Sequence, residues 1–380
     1  MLRRLSLATL LAGIALAPSA DGEIFNVPCD ASALSSAIAA VNGNGEEDFV
    51  WLAPACAYVL SSTWVVEADA GHPLRLYGRR ATLSGNGQRS VLVVSSGATV
   101  HASGLTITAG KSEASGGGIA NHGTLALTES TVSGSEALDN GGGIQNLGTL
   151  RLARSAVSGN SAGLGGGGID NAQGRLALAE STVSGNTAPF GAGIRNARSA
   201  SISNSTVFDN HGFLAGGLLT ESASTTTLGN VTIAGNEASG NGGGGGIRNE
   251  GALAIDNSVV ADSSGADCSN LGAITASGGN LVEDGSCAIA GALSGDPAFF
   301  AVTAKSKSVP LLPGSQAIDA GSNTSCPGVD QHGSRRPRDG GSDGSVVCDL
   351  GAHESACGLL GIEPFLVLPL ARRLLRARRG

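Results

Sequence analysis

A unit of about 25 residues recurs along residues 116–262 of this 380-residue chain, and it constrains the fold more than any other sequence feature. Runs of glycine lead into an aliphatic residue at intervals of 25, 25, 25, 24 and 29 residues, at Ile119, Ile144, Ile169, Ile194, Leu218 and Ile247. Two residues later stand Asn121, Asn146, Asn171, Asn196, Thr220 and Asn249. A second aliphatic column comprises Val132, Val157, Val183, Val207, Val231 and Val259. Self-similarity at such a period predicts an architecture of stacked repeats.

Each unit follows the pattern Gly-Gly-Gly-Ile-x-Asn, then Leu-x-Leu, then Thr-Val-Ser-Gly-Asn. The alternation of apolar and polar residues predicts three short strands, each with one apolar face. Because such a strand cannot pack alone, we expect every unit to be one coil of a solenoid whose apolar faces point inward. Identical residues then stack ~4.8 Å apart on successive coils. Since parallel crossovers are nearly always right-handed, the sequence predicts an all-β chain folded as a right-handed parallel β-helix.

The composition agrees with this fold and excludes others. Glycine accounts for 60 of the 380 residues, well above the usual share of roughly 7%, and we expect it at coil corners that need a positive φ. Collagen would need glycine at every third position and more proline than the 12 present. A disordered chain would be poorer in hydrophobic residues than the 41% found here.

The two ends of the chain have their own patterns. Residues 1–20 resemble a secretory signal peptide, because Arg3 and Arg4 precede an apolar stretch too short to span a bilayer; the alternative is a buried N-terminal helix. Residues 358–380 join an apolar segment to five arginines, which is typical of a C-terminal sorting or anchor signal. The alternative for this tail is an amphipathic helix docked on the fold.

Between these ends we expect three regions. Residues 21–56 form an N-terminal cap, in which Leu34, Ala37, Ile38 and Val41 have helical spacing. Residues 57–312 form the β-helix. Residues 313–357 form a loop-rich C-terminal cap, because the last coil of a solenoid otherwise exposes apolar side chains and strand edges.

Seven cysteines are present, and the first six fall into three local pairs. The candidate disulfides are Cys29 with Cys56, Cys268 with Cys287, and Cys326 with Cys348. This pairing is the simplest of the 15 connectivities that six cysteines allow. Cys357 remains over, and the absence of a Cys-x-x-Cys motif argues against zinc.

Two stretches resemble known families. The glycine-rich repeats, together with Phe208-Asp209-Asn210, are similar to the Gly-Gly-Ala-aliphatic and Phe-x-x-Asn repeats of polymorphic outer-membrane proteins. The chain resembles more closely the exported bacterial β-helix proteins of the choice-of-anchor Q type, through residues 29–42, 313–321, 326–333, 336–337 and 348–354. Members of that group usually have an aromatic residue where His353 stands. The resemblance implies an exported body with a variable C-terminal anchor.

The charge of the body restricts its partners. Residues 21–362 contain 16 Lys and Arg against 30 Asp and Glu, so their net charge is 16 − 30 = −14. We find no basic stripe of the kind that nucleic acid requires. Extracellular glycans and the surfaces of neighbouring or host cells are the partners we expect, with the envelope reached through the tail.

Polysaccharide cleavage needs two carboxylates roughly 5–9.5 Å apart, or a base beside a bound cation such as calcium. On a solenoid these would recur at one position of adjacent coils. The column three residues before each valine contains Glu129, Arg154, Glu180, Asn204, Leu228 and, with the unit shifted by one, Asp256. Its first three members alternate in sign, which favours a structural ion-pair ladder over catalysis. We therefore assign no catalytic, cofactor-binding or metal-binding residue.

Three groups are candidates for binding. Phe208, His211 and Phe213 form a candidate ligand surface, although His211 is equally compatible with an ordinary loop. The acidic group Asp319, Asp330, Asp349 and Glu354, with Arg336, can bind calcium or instead cap turns and form internal pairs. We expect Trp51 and Trp64 to pack under the cap; the alternative is an exposed platform on which sugars stack.

These observations predict an exported surface protein that serves adhesion or glycan binding through an elongated face of the solenoid. One alternative is a polysaccharide lyase or glycoside hydrolase on the same fold. A second alternative is a purely structural surface component.

Overall fold

The computed structural model describes residues 22–301 and 308–355. The expected signal peptide, the expected sorting tail and Cys357 lie outside these residues. Within them the chain is an all-β parallel β-helix, in which every strand pairing of the solenoid is parallel and joins one coil to the next. No helix of the described residues is long and apolar enough to cross a membrane.

Three sheets run along the solenoid. Sheet 1 has 17 strands: Ile24–Val27, Asp48–Leu52, Ala57–Val59, Leu74–Ser84, Thr99–Thr108, Thr124–Thr128, Thr131–Ser133, Thr149–Ala153, Ala156–Ser158, Arg175–Ala179, Thr182–Ser184, Ser199–Ser203, Thr206–Phe208, Thr225–Gly229, Thr232–Ala234, Ala252–Ala261 and Ala273–Val282. Sheet 2 has nine: Trp64–Val66, Leu92–Val94, Ile119–Asn121, Ile144–Asn146, Ile169–Asn171, Ile194–Asn196, Leu218–Thr220, Gly244–Asn249 and Ala266–Asn270.

Sheet 3 consists of two-residue strands that the repeat pattern did not predict. They are Lys111–Ser112, Glu136–Ala137, Ser161–Ala162, His211–Gly212 and Glu237–Ala238. Single bridges from Thr187 to Ser161 and to His211 connect the two halves of this sheet. The helices among the described residues are the α-helix Ala31–Val41 and the 3₁₀ turn Ser286–Ala288.

The strand register confirms that identical residues stack. Ile119, Ile144, Ile169, Ile194, Leu218 and Ile247 pair in succession across sheet 2. All six side chains are fully buried, and burial of one such side chain stabilises the fold by about 1.5–3 kcal/mol. The aliphatic ladder is therefore the main part of the hydrophobic core.

The valine column holds only in its first four members. Val207 pairs with Ile233, and Ile233 pairs with Val260. The expectation that Val231 and Val259 continue the column is therefore wrong. Residues were inserted in these later units, so counting from the glycine run no longer gives the register.

The ion-pair ladder is confirmed at the bend inside sheet 1. Arg154 lies 3.3 Å from Glu129 and 3.7 Å from Glu180, measured between side-chain nitrogen and oxygen. The left-handed bend positions then continue through Asn204, Asn230 and Asn257. Leu228 and Asp256, which the sequence placed in this column, lie instead within strands of sheet 1.

The α-helix covers the N-terminal end of the core. Asp30 caps it by accepting a hydrogen bond from the Ser32 N–H at 2.7 Å, and Leu34 is fully buried beneath it. Trp64 is buried as expected, but Trp51 is not. Trp51 lies at an outward-facing position of strand Asp48–Leu52, so the expectation that it packs under the cap is wrong.

The C-terminal segment 308–355, which we call the strap, does more than close the end of the solenoid. It runs back along the bend of sheet 1, where Gln331 donates to the Ser181 carbonyl at 3.2 Å and accepts from Thr206 at 2.5 Å. Three disulfides are present, and they join the pairs Cys29–Cys56, Cys268–Cys287 and Cys326–Cys348. The third of them lies within the strap.

Candidate functional site

The outward-facing residues of sheet 3 form a single polar row along the solenoid. Successive coils contribute Lys111, Glu136, Ser161, Thr187, His211 and Glu237, paired in this order. Neighbouring members lie about one strand spacing, ~4.8 Å, apart. The row therefore offers a hydrogen-bonding group at each step along the axis.

An open groove of about 500 Å³ lies beside this row, within the range of ~300–1,000 Å³ typical of ligand sites. Its lining is Glu136, Ala137, Leu138, Ser161, Ala162, Gly163, Thr187, Ala188, Pro189, His211, Gly212, Phe213, Glu237 and Ser239. Leu138 and Phe213 are more than half exposed and supply its apolar surface. One wall can thus contact apolar ligand faces while the polar row meets hydroxyl groups.

Small residues at the floor keep the groove open, and two of them are fixed by the backbone. A Cβ at Gly163 would lie 2.0 Å from the Leu138 carbonyl oxygen, and a Cβ at Gly212 would lie 2.2 Å from that of Ala215. No side chain fits at these distances. The floor is therefore glycine for steric reasons, which the sequence alone does not reveal.

His211 is the centre of the polar contacts in the groove. Its Nδ1 lies 3.0 Å from Glu237 Oε2, and its Nε2 lies 3.4 Å from Asp209 Oδ1. All three side chains are 42–50% exposed. The two carboxylates hold the imidazole in one orientation while leaving it accessible to a ligand.

The structure separates the three residues of the candidate ligand surface. His211 and Phe213 both line the groove. Phe208 does not, because it is 2% exposed and packs against Ala234 and Val309 of the strap. The expectation that Phe208 contributes to a ligand surface is wrong: the sequence could not show that a segment about 100 residues later covers it.

The carboxylates of the groove are poorly placed for glycoside hydrolysis. Glu136 and Glu237 are four coils apart, about 19 Å at the usual strand spacing. A hydrolase pair needs roughly 5–9.5 Å across one sugar. Asp209 and Glu237 are closer to each other, but both contact the same imidazole. The arrangement suits binding of an extended ligand better than hydrolysis.

The acidic residues of the strap hold its own fold. Arg336 donates to Glu354 at 2.8 Å, with both side chains fully buried. Asp330 accepts from the backbone N–H groups of His332 and Ser334 at 2.9 and 2.8 Å. Burial raises the pKa of Glu354 to about 7, against the opposing effect of the guanidinium.

A different acidic group in the strap has oxygens close enough to share a cation. Carboxylate oxygens of Asp319, Asp339 and Asp343 lie within 4.8 Å of one another. Each carboxylate also accepts backbone N–H groups, for example from Gly340 to Asp319 at 3.2 Å. These contacts account for the cluster as turn caps, and calcium binding stays a prediction.

A buried ion-pair group lies on the outer side of sheet 2. Arg195 donates to Asp170 at 3.0 Å and to Glu221 at 2.6 Å. Asp170 is fully buried beneath the glycine-rich loop, since a Cβ at Gly166 would lie 2.6 Å from the Asp170 Cα. Burial raises the pKa of Asp170 to about 6. This group anchors the loop and does not line the groove.

Comparison with known proteins supports the fold alone. No protein-family model matches the chain, and no curated protein matches it. Among solved structures, the crystal structure of pectate lyase Pel9A is similar, with a TM-score of 0.50 and 14% sequence identity. The match covers 88% of this chain and 96% of the lyase. A parallel β-helix is therefore the architecture that the two proteins share.

Proposed function

We propose that this protein binds a carbohydrate chain in the groove along sheet 3. The observation that carries the proposal is the combination of an exposed apolar wall, at Leu138 and Phe213, with a polar row that repeats at every coil. Sugars present both apolar C–H faces and hydroxyl groups, so they match such a surface. Aromatic side chains are well suited to this contact because their faces are apolar and rigid.

An extended chain suits the groove better than a single sugar. The row from Glu136 to Glu237 crosses four coil steps, about 19 Å. Ser161, Thr187 and His211 lie between these two carboxylates and offer both donors and acceptors. A polymer lying parallel to the axis would meet one of these groups at each step.

The test is binding of neutral and acidic polysaccharides by affinity electrophoresis and calorimetry. Phe213→Ala and His211→Ala should each weaken binding several-fold. Leu271→Ala is the matched control, because Leu271 is 68% exposed and lies outside the groove lining. Binding that is unchanged in Phe213→Ala and His211→Ala, or lost equally in the control, would contradict the proposal.

Polysaccharide lyase activity is the second candidate. It is favoured by the presence of Lys111 and His211, two side chains able to act as bases, in the same row. β-Elimination would leave an unsaturated uronate product, which absorbs ultraviolet light. Appearance of this product on incubation with polyuronates, and its loss in Lys111→Ala or His211→Ala, would replace the binding proposal with the enzymatic one.

We further propose that the protein acts at the cell surface, in adhesion or as a structural component. The signal-like residues 1–20, the resemblance to anchored β-helix proteins and the arginine-rich tail support this placement. The three disulfides are compatible with an oxidising compartment. Mass spectrometry of the native protein tests it: we expect both ends to be processed, whereas a mature chain ending at Gly380 would argue against a cleaved sorting signal.

A further inference from the structure

A stacked aromatic pair lies on the outer face of sheet 1, near the N-terminal end of the solenoid. Trp51 and Tyr77 occupy paired positions of neighbouring strands. Their ring centroids are 4.1 Å apart, and the planes differ by 16°. Trp51 is 36% exposed although it is one of only two tryptophans in the chain. The pair therefore presents a flat apolar surface to solvent, where the neighbouring core does not need it.

Cationic side chains continue from this pair along the same face. Arg75 pairs in register with His101, and the next outward positions are Ala126 and then Arg151. Arg75 and Arg151 are three coil steps apart, about 14 Å. Arg175 lies on the coil after Arg151, in the adjacent outward-facing column. Cations thus follow the aromatic pair over successive coils.

Carboxylates are nearly absent from this part of the face. The outward-facing positions of the six strands from Asp48–Leu52 to Arg175–Ala179 hold none. Glu47, immediately before the first of these strands, pairs with Arg75. Arg151 and Arg175 form no ion pair with any residue that the structure describes. This excess of positive charge is notable because the body as a whole has a net charge of −14.

Hydroxyl groups fill the positions between these cations. Thr99, Thr124 and Thr149 form one outward-facing column, and Ser103 and Thr128 belong to another. Each hydroxyl can donate one hydrogen bond and accept others. The face thus combines an aromatic platform, separated cations and neutral hydrogen-bonding groups.

The geometry points to this face, which we call the N-terminal face, as a second binding surface for a polysaccharide that bears carboxylates. Sugar rings pack on Trp51 and Tyr77, and uronate groups pair with Arg75, Arg151 and Arg175. The site is distinct from the groove, since it lies on sheet 1 and uses earlier coils. It holds whether or not the groove binds a glycan.

Spaced cations favour a polyuronate over a nucleic acid. A nucleic acid carries a charge on every phosphate and needs a dense basic surface, whereas this face offers a few arginines separated by hydroxyl side chains. The acidic remainder of the body would repel a dense polyanion that extends past the face. A chain of sugars with intermittent or partly screened carboxylates fits both conditions.

The experiment measures binding of polygalacturonate to the protein at low and at high salt. We expect the double variant Arg151→Ala with Arg175→Ala to lose roughly tenfold in affinity at low salt, and less at high salt. Trp51→Ala should lose about 3- to 10-fold at either salt concentration. Arg335→Ala is the matched control, because it removes one exposed arginine from the strap. Melting temperatures of all variants should equal that of the unaltered protein.

The groove and the N-terminal face are distinguished by cross-testing. Phe213→Ala should leave the affinity for polygalacturonate unchanged. Loss of that affinity in Phe213→Ala alone, or an equal loss in Arg335→Ala, would overturn the inference. Equally tight binding of single-stranded DNA, or of a neutral polysaccharide, would also overturn it, because the proposed specificity rests on spaced carboxylates.

Discussion

The side-chain amide of Asn146 donates to the amide oxygen of Asn171 at 2.7 Å in the fully buried interior. The same contact joins Asn121 to Asn146 and Asn171 to Asn196, also at 2.7 Å. Asn146 donates in addition to the Arg175 carbonyl oxygen at 3.1 Å. Each amide thus satisfies its neighbour and a backbone carbonyl, which is what buried polar groups require.

Replacement of Asn146 by alanine should destabilise the fold by about 2–4 kcal/mol. The change removes hydrogen bonds on both sides, leaves the Asn121 amide without an acceptor, and opens a cavity. Chemical denaturation with a fitted unfolding free energy measures the effect. Gln173→Ala removes an exposed amide from a nearby turn and should cost under about 0.5 kcal/mol. Equal effects of the two changes would mean that the ladder adds no stability.

Stability should decrease as the pH rises from about 5 to 8. Burial raises the pKa of Asp170 and of Asp267 to about 6, from an ordinary value of 3.8. Burial likewise raises the pKa of Glu354 to about 7, from 4.5. Between the ordinary and the raised pKa values the folded state binds more protons than the unfolded state. The stabilisation is therefore complete below about pH 4 and is lost as the pH passes through 6 to 7.

Thermal melts across this range, with the variant Asp170→Asn, measure that dependence. The variant removes one of the three titrating groups, so its melting temperature should vary less between pH 5 and pH 8. We expect each group to contribute on the order of 1 kcal/mol to the difference. A melting temperature that increases from pH 5 to pH 8 would show that the ion pairs with Arg195 and Arg336 outweigh burial.

The strap should detach before the solenoid unfolds. Gln331 contacts Ser181, Thr182 and Thr206, and it is the point at which the strap reaches farthest back along the coils. Gln331→Ala should cost about 1–3 kcal/mol, because three buried hydrogen bonds are lost. Hydrogen exchange should then increase around Phe208, which Val309 of the strap covers. Exchange that increases equally in sheet 2 would instead indicate global unfolding.

The repeat allowed the fold to be predicted because each coil makes the same contacts with the next. One register error of a residue or two, as at Val231 and Val259, leaves the architecture unchanged. The two-residue strands of sheet 3 were missed because they carry no aliphatic alternation. They contain pairs such as Glu136 with Ala137, which local pattern analysis assigns to a turn.

The candidate sites were harder to predict because they depend on contacts between distant segments. Phe208 and Phe213 differ by five positions, yet the strap buries one and leaves the other exposed. The face beside Trp51 is visible only after Arg75 and Arg151, 76 positions apart in the sequence, are aligned by the register. His211 was identified because it stood out locally, but its partner Glu237 lies on the next coil.

The glycine runs show that one residue type can be required for two different physical reasons. Gly166 has a φ of 62°, in agreement with the expected positive φ at a corner. Gly168 does not have a positive φ; instead a Cβ there would lie 2.6 Å from the Gly193 carbonyl oxygen on the next coil. The equivalent distance is also 2.6 Å at Gly118 and Gly143. The last glycine of each run therefore permits close packing of successive coils.

Replacement of Gly168 by alanine should consequently destabilise the solenoid by about 2–4 kcal/mol, since the added methyl group must push two backbones apart. Gly229→Ala is the matched control, because Gly229 lies in a strand of sheet 1 with nothing within 4 Å of its added Cβ and without a positive φ. It should be neutral or stabilise the fold by up to about 1 kcal/mol, through the lower entropy of the unfolded chain. Denaturant unfolding of both variants measures the difference. If Gly168→Ala were as stable as Gly229→Ala, the coil spacing at this corner would have to be looser than the carbonyl distance indicates.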